Sequence, residues 1–151
     1  MATRSAEQRA AVRLFVEKFN GAMSYMALLR AEPGSEAETE AKAALAAGMQ
    51  AMDSFLRAYA DSEGPFFFGS TFSLAEEACA PFALRFWHVL PAMRPEHAPR
   101  AMLEEGKLER LRAWLEAVVE RPSVKATAMA PDEMVQSYAN MLERMKAMAA
   151  K

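Results

Sequence analysis

Apolar residues recur at intervals of three and four along most of the chain, the spacing that gives an α-helix one apolar face. The first such segment predicts a helix from about Ser5 to Arg30. Its apolar face consists of Val12, Val16, Phe19, Met23, Met26 and Leu29. Glu32 to Gly34 should end this helix, because Pro33 cannot continue it and glycine permits a turn.

A second predicted helix begins after Ser35, whose hydroxyl can cap it. Its apolar residues are spaced four and three apart, a pattern that forms a narrow seam between antiparallel helices. They are Ala41, Leu45, Gly48, Met52, Phe55 and Tyr59. Because the connection is short, we expect the first two helices to form a hairpin, with Gly48 at a point of close approach.

A capping box marks the start of the third helix. Ser73 and Glu76 stand three residues apart, so each side chain can bond a backbone N–H group of the first turn. The helix is predicted from Leu74 to about Met93, and Pro81 inside it should bend it.

Two more helices are predicted over roughly residues 107–120 and 131–149. Strong helix formers are abundant, and no segment alternates apolar and polar residues as a half-buried strand does. We therefore predict an all-α bundle of about five to six helices. A chain of 151 residues suits one domain spanning residues 1–151.

The bulk composition excludes several classes of function. The formal net charge is -2, without a basic cluster that would attract nucleic acid. No apolar run approaches the roughly 18 residues of a transmembrane helix, and the N-terminus lacks the apolar core of a signal peptide. One cysteine excludes an internal disulfide. We expect a soluble protein of the cytoplasm or of a reducing organelle interior, not a secreted one.

Two segments carry a family resemblance. GPFFFGSTFSLAEEACAP, from Gly64 to Pro81, and WLEAVVERPSV, from Trp114 to Val124, resemble the signature of the C-terminal helical domain of glutathione transferases. The position of Arg85 after Pro81 and the composition of the C-terminal segment are most similar to the omega and lambda branches. Glu76 replaces the family's usual aspartate, and Glu77 replaces an apolar residue that normally contacts the residue before the cap.

The resemblance also implies what this chain lacks. In the family, a thioredoxin-like domain comes first, binds glutathione and supplies the catalytic Cys, Ser or Tyr. The 63 residues before Gly64 read as helix instead, so we predict no catalytic residue and no cofactor here. The helical domain of the family lines the pocket for the hydrophobic co-substrate. By this resemblance the ligand-pocket candidates are Tyr25, Met26, Arg85 and Trp87, although Arg85 could equally pair with a helix carboxylate and Trp87 could be core.

The last predicted helix carries a seam made almost wholly of methionine, one of the chain's most distinctive patterns. Its members are Met134, Tyr138, Met141, Met145 and Met148. Two interpretations remain open. The seam packs on the domain as core, or it forms a pliable contact surface, since methionine side chains repack readily against irregular partners.

The remaining residues with chemical potential are few. Cys79, between two alanines in the third helix, is expected to be buried and inert. His88 and His97 lack partners at ligand spacing, so a surface or capping role is expected and no metal site.

Three functions follow as hypotheses. The first is a non-catalytic module that acts through protein contacts, as an accessory subunit of a larger assembly or as a homo-oligomer. The second is the helical half of an omega- or lambda-like thiol transferase whose catalytic domain lies elsewhere. The third is the binding of a hydrophobic small molecule.

Overall fold

The computed structural model describes residues 4–150, and its regular structure is helical. The elements are α1 Ala6–Ala22, α2 Met26–Arg30, α3 Glu36–Tyr59, α4 Leu74–Met93, α5 Pro99–Glu105, α6 Glu109–Glu120, α7 Pro122–Thr127 and α8 Pro131–Ala149, with a 3-10 turn at Pro95–His97. Five of these helices are long: α1, α3, α4, α6 and α8. The predicted all-α class is therefore confirmed.

The expectation of one continuous helix from Ser5 to Arg30 is wrong. α1 ends at Ala22, Met23 caps it, and α2 starts only at Met26. Poor helix formers precede the break, Gly21 among them. The break also buries both Met23 and Tyr25, which a continuous helix would point in different directions because they are two residues apart.

α1 and α3 pack closely, and Gly48 is where they approach. A Cβ atom built on Gly48 would lie 1.8 Å from the backbone oxygen of Ala22. Of the predicted seam of α3, Ala41, Leu45 and Met52 are buried, and Gly48 and Phe55 are half-buried. Tyr59 at its end is 60% exposed and packs on Phe55, with 4.7 Å between ring centroids. The predicted close approach at Gly48 is therefore confirmed.

The core is centred on aromatic side chains from α1, α6 and the loop before α4. The ring centroid of Phe15 lies 5.2 Å from that of Trp114 and 5.4 Å from that of Phe67. Phe67 is fully buried, and its neighbours Phe66 and Phe68 are nearly so. The loop therefore enters the core and holds the start of α4 against α1 and α6.

The carboxylate of Glu76 lies at this centre and is 0% exposed. One of its oxygens accepts from the N–H and the hydroxyl of Ser73, each at 2.8 Å. The other accepts from the Phe67 N–H at 2.6 Å and from the Trp114 indole N–H at 2.8 Å. Ser73 caps α4 and Glu76 bonds the cap's N–H, so one carboxylate connects the capping box, the loop and α6.

Candidate ligand groove and methionine face

A groove of about 700 Å³ lies between α4, α7 and α8. Apolar and polar side chains of the three helices and of the segments beside them share its wall about equally. The apolar and small residues among them are Phe72, Ala80, Pro81, Leu84, Val124, Ala128, Met129, Met134 and Met141. Its polar residues are Glu77, Arg85, Arg121, Ser123, Thr127, Ser137 and Tyr138. The volume lies within the range of small-molecule sites, roughly 300–1,000 Å³.

The groove brings together residues that are far apart in sequence. Arg85 comes from α4, and Met134, Tyr138 and Met141 come from one face of α8, where residues three and four apart are neighbours. One pocket candidate and three interface candidates of the sequence analysis therefore line the same groove.

Tyr25 lies behind this wall and reaches it through Tyr138. The two phenol oxygens are 3.0 Å apart, and the ring of Tyr25 also packs on Phe86 at 6.1 Å between centroids. Burial, together with the hydrogen bond to Tyr138, raises the pKa of Tyr25 well above its usual value, so its phenol stays protonated. The nearby positive charge of Arg85 opposes this rise.

Arg85 itself is half-buried. No ion pair within residues 4–150 includes it. Its guanidinium carbon lies 5.4 Å from the centroid of the Phe82 ring. Pairing of Arg85 with a helix carboxylate, one of the two alternatives from the sequence, is not observed within residues 4–150.

The other two pocket candidates lie away from the groove. Trp87 is half-buried, and its ring stacks under the guanidinium of Arg100 at 5.1 Å. Met26 is half-buried against the hydrophobic core. Neither side chain lines the groove.

The methionine seam of α8 divides into two halves. Met134 is buried and Met141 is half-buried, and both line the groove. Met145 is 37% exposed and Met148 is 76% exposed. The first half of the seam therefore packs on the domain, and the second half is an apolar surface open to solvent. We call Met145 and Met148 the methionine face.

Cys79 is buried in α4. Burial, and then the charge of Glu76, raise the pKa of its thiol to about 12. A thiol with such a pKa holds its proton at neutral pH, and only the thiolate is a strong nucleophile.

A polar cluster around the buried side chains of Arg94 and His97 joins α2 and α3 to the end of α4, and sequence reasoning missed it. Arg94 donates to Glu38, to Glu96 and to the carbonyl oxygens of Leu28 and Ala31. His97 is 6% exposed, with its Nε2 atom 2.8 Å from a Glu38 carboxylate oxygen, so of the two expected roles, surface or capping, the surface position is wrong.

The same cluster brings three metal-ligating side chains close together, those of Glu38, Glu96 and His97. The guanidinium of Arg94 already bonds both carboxylates, and it supplies the positive charge that a cation would supply. This arrangement favours a structural role over metal binding.

The helical architecture and the buried capping-box carboxylate define a class, the helical domain of glutathione transferases. A family model described as the C-terminal domain of glutathione S-transferase matches residues 36–117, which is more than half of the chain. The chain belongs to this family. No curated protein matches it significantly.

A solved structure of a glutathione transferase from Leishmania, TDR1, described as trimeric, has a similar fold, with a TM-score of 0.63 and 25% sequence identity. The match covers 90% of this chain and 29% of that chain, so this chain spans less than a third of the length of that transferase. No helix within residues 4–150 has the length and apolar character that crossing a membrane requires.

Proposed function

We propose that residues 1–151 form a single non-catalytic module of the glutathione transferase C-terminal type. The module acts through protein contacts and associates with further copies of itself. The observation that carries this proposal is the methionine face. α8 continues past the groove and leaves Met145 and Met148 open to solvent.

The exposed methionines support a contact function for a physical reason. An interface would bury most of the apolar surface that Met148 exposes to water, and such burial is favourable by about 25 cal/mol per Å². Methionine also adapts its shape to the partner surface. A second copy is the partner we choose, because the similar Leishmania transferase is described as trimeric.

The state of the cysteine supports the non-catalytic part. An omega- or lambda-like thiol transferase needs a reactive thiolate, and Cys79 is buried with its pKa raised to about 12. The alternative, the helical half of such a transferase, therefore requires a catalytic thiol outside these residues. We further propose a reducing compartment, cytoplasmic or organellar, which the single free cysteine supports.

The native mass of the purified chain tests self-association. Light scattering after size exclusion should give a multiple of 16.7 kDa for the wild type. Met145→Glu with Met148→Glu should reduce the mass to that of one chain and preserve the helical circular dichroism. A wild-type mass of one chain at all concentrations overturns the proposal.

A control variant adds the same two charges to the opposite side of α8. Gln136→Glu with Ala147→Glu changes exposed residues that lie about 130–150° around the helix from the middle of the methionine face, at about 100° per residue. This variant should assemble like the wild type, and its dissociation would show that added charge, not the face, breaks the assembly. Turnover of glutathione and an electrophile by the purified chain would overturn the non-catalytic part.

A further inference from the structure

The methionine side chains of this protein differ sharply in their exposure to solvent. Within residues 4–150, three methionines are exposed, Met129 at 52%, Met145 at 37% and Met148 at 76%. Met145 and Met148 form the methionine face on α8, and Met129 lies in the α7–α8 connection. An oxidant in solution therefore meets thioether sulfur first at these three positions. The buried methionines are Met23, Met49, Met52, Met102 and Met134.

The single cysteine does not compete for such an oxidant. Thiols react with hydroperoxides as thiolates, and Cys79 is buried in α4 with the pKa of its thiol raised to about 12. A thioether has no proton to lose, so its reaction depends on exposure and not on a pKa. The first sulfur to be oxidised should therefore belong to an exposed methionine.

We propose that Met145 and Met148 are sites of reversible oxidation by hydroperoxides, and that their oxidation releases single chains from the assembly. The release rests on the proposed self-association through the methionine face. The thioether sulfur attacks the outer oxygen of the hydroperoxide, an S–O bond forms as the O–O bond breaks, and the proton of that oxygen passes to the departing oxygen. The sulfur loses two electrons and becomes a sulfoxide, and the hydroperoxide is reduced to an alcohol, or hydrogen peroxide to water.

Oxidation changes what the methionine face offers to a partner. A sulfoxide is polar, and it turns a flexible apolar side chain into one that disrupts methionine-rich interfaces. An interface that buries the sulfoxide oxygen without a donor loses the hydrogen bonds that water gave it, so we expect the Kd of assembly to rise at least about tenfold. Methionine sulfoxide reductases reduce the sulfoxide back to the thioether, which makes the change reversible.

Assembly and oxidation should exclude each other. A methionine face that a second copy covers is closed to the oxidant, so the oxidant reacts with the free chain and holds it in that state. The oxidation rate of Met148 should therefore fall about tenfold at a chain concentration that leaves about a tenth of the chains free. Met129 lies outside the methionine face, and its oxidation rate should not depend on chain concentration.

Treatment with hydrogen peroxide, followed by peptide mass spectrometry and light scattering, tests the proposal. Met148 should gain one oxygen at least about tenfold faster than a buried methionine such as Met52. The mass of the oxidised protein should fall toward the 16.7 kDa of one chain, with the helical circular dichroism preserved. Methionine sulfoxide reductase with dithiothreitol should restore the mass of the assembly.

Two variants separate the methionine face from other oxidisable groups. Met145→Leu with Met148→Leu keeps the face apolar but removes its sulfur, so this variant should assemble and keep its mass after peroxide. Met129→Leu is the matched control, because it removes an exposed thioether outside the face, and it should still dissociate on oxidation. Dissociation of the leucine double variant by peroxide overturns the assignment to Met145 and Met148.

The same measurements distinguish this proposal from the proposed function. A wild type that has the mass of one chain before peroxide overturns self-association and the release together, and the order of oxidation then still decides the modification sites. An assembled wild type that keeps its mass once Met145 and Met148 carry sulfoxides overturns the release alone. Equal oxidation rates of Met148 and Met52 overturn the modification sites.

Discussion

Replacing the carboxylate of Glu76 by an amide tests the centre of the fold. Glu76→Gln keeps the size and shape of the side chain but turns one acceptor oxygen into an NH₂ donor. The wild-type carboxylate accepts four hydrogen bonds, two from Ser73, one from Phe67 and one from Trp114. The amide fits best with its NH₂ toward Ser73, whose hydroxyl can rotate to accept.

The cost can be worked out bond by bond. The Ser73 N–H then faces a donor and loses its partner, which costs about 1–3 kcal/mol for a buried group. The bonds from Phe67 and Trp114 lose their charge assistance, at about 1 kcal/mol each. The amide also avoids the cost of burying a charged group, which offsets part of the lost hydrogen-bond stabilisation. We therefore expect a net loss of about 2–4 kcal/mol in the free energy of unfolding. For a chain of this size that lowers Tm by about 4–16 °C.

Thermal and denaturant unfolding, followed by circular dichroism, measure this loss. Glu77→Gln is the matched control, since it makes the same change one residue away on an exposed side chain, and it should stay within about 0.5 kcal/mol of the wild type. A Glu76→Gln protein that melts within a degree of the wild type, or a Glu77→Gln protein that loses as much, would refute the assignment of Glu76 as the hub of this hydrogen-bond network.

Three further predictions follow from single side chains. Gly48→Ala should destabilise the fold by about 1–3 kcal/mol or more in denaturant unfolding, because the added Cβ meets the backbone of Ala22. Gly21→Ala is the control and should be neutral or stabilising, because nothing lies within 4 Å of a Cβ there. Equal effects of the two substitutions would contradict the close approach. Cys79 should react with Ellman's reagent far more slowly in the folded protein than in urea, and equal rates would contradict its burial and raised pKa. Burial lowers the pKa of His88 below its usual 6.5, so near that pH the unfolded state binds more protons than the folded state. The free energy of unfolding should therefore fall as the pH drops below about 6.5, and His88→Gln should reduce that fall. An unchanged pH profile of stability in His88→Gln would contradict this prediction.

The helices with local signals at their ends were predicted accurately. α3 begins after its cap Ser35, α4 begins after Ser73, and α8 runs from Pro131 to Ala149 as the sequence indicates. Caps and prolines act within one turn, so the local sequence contains the information that they use.

Features that depend on distant contacts were not predicted. The break between α1 and α2 allows Tyr25 to reach Tyr138, 113 positions away. Asp53 of α3 accepts from the Leu111 N–H at 2.8 Å and so caps α6 from another helix. Arg94 and Glu38, which bond within the Arg94 cluster, are 56 positions apart in the sequence. Because no local periodicity encodes such pairs, a single sequence cannot reveal them.

The candidate site also combines residues that local patterns identify with an arrangement that depends on distant contacts. The sequence singled out Arg85 and the methionine seam of α8, each from its own pattern. The sequence could not show that Arg85 and this seam are neighbours, because their distance depends on how α8 packs against α4. The structure brings them to one groove and leaves out Trp87, which differs from Arg85 by two positions and therefore points to another side of α4.

The seam of α8 divides into a groove wall and an exposed contact surface along one helix. Met134, Tyr138 and Met141 line the groove, and Met145 and Met148 extend beyond it, so the groove wall and the methionine face use successive turns of the same helix face. Met141 stands at the boundary and is half-buried. A charge at Met141 would therefore disturb the groove wall and the adjoining interface together, whereas charges at Met145 and Met148 act on the interface alone. Variants at the far end of α8 are for this reason the cleaner test of assembly.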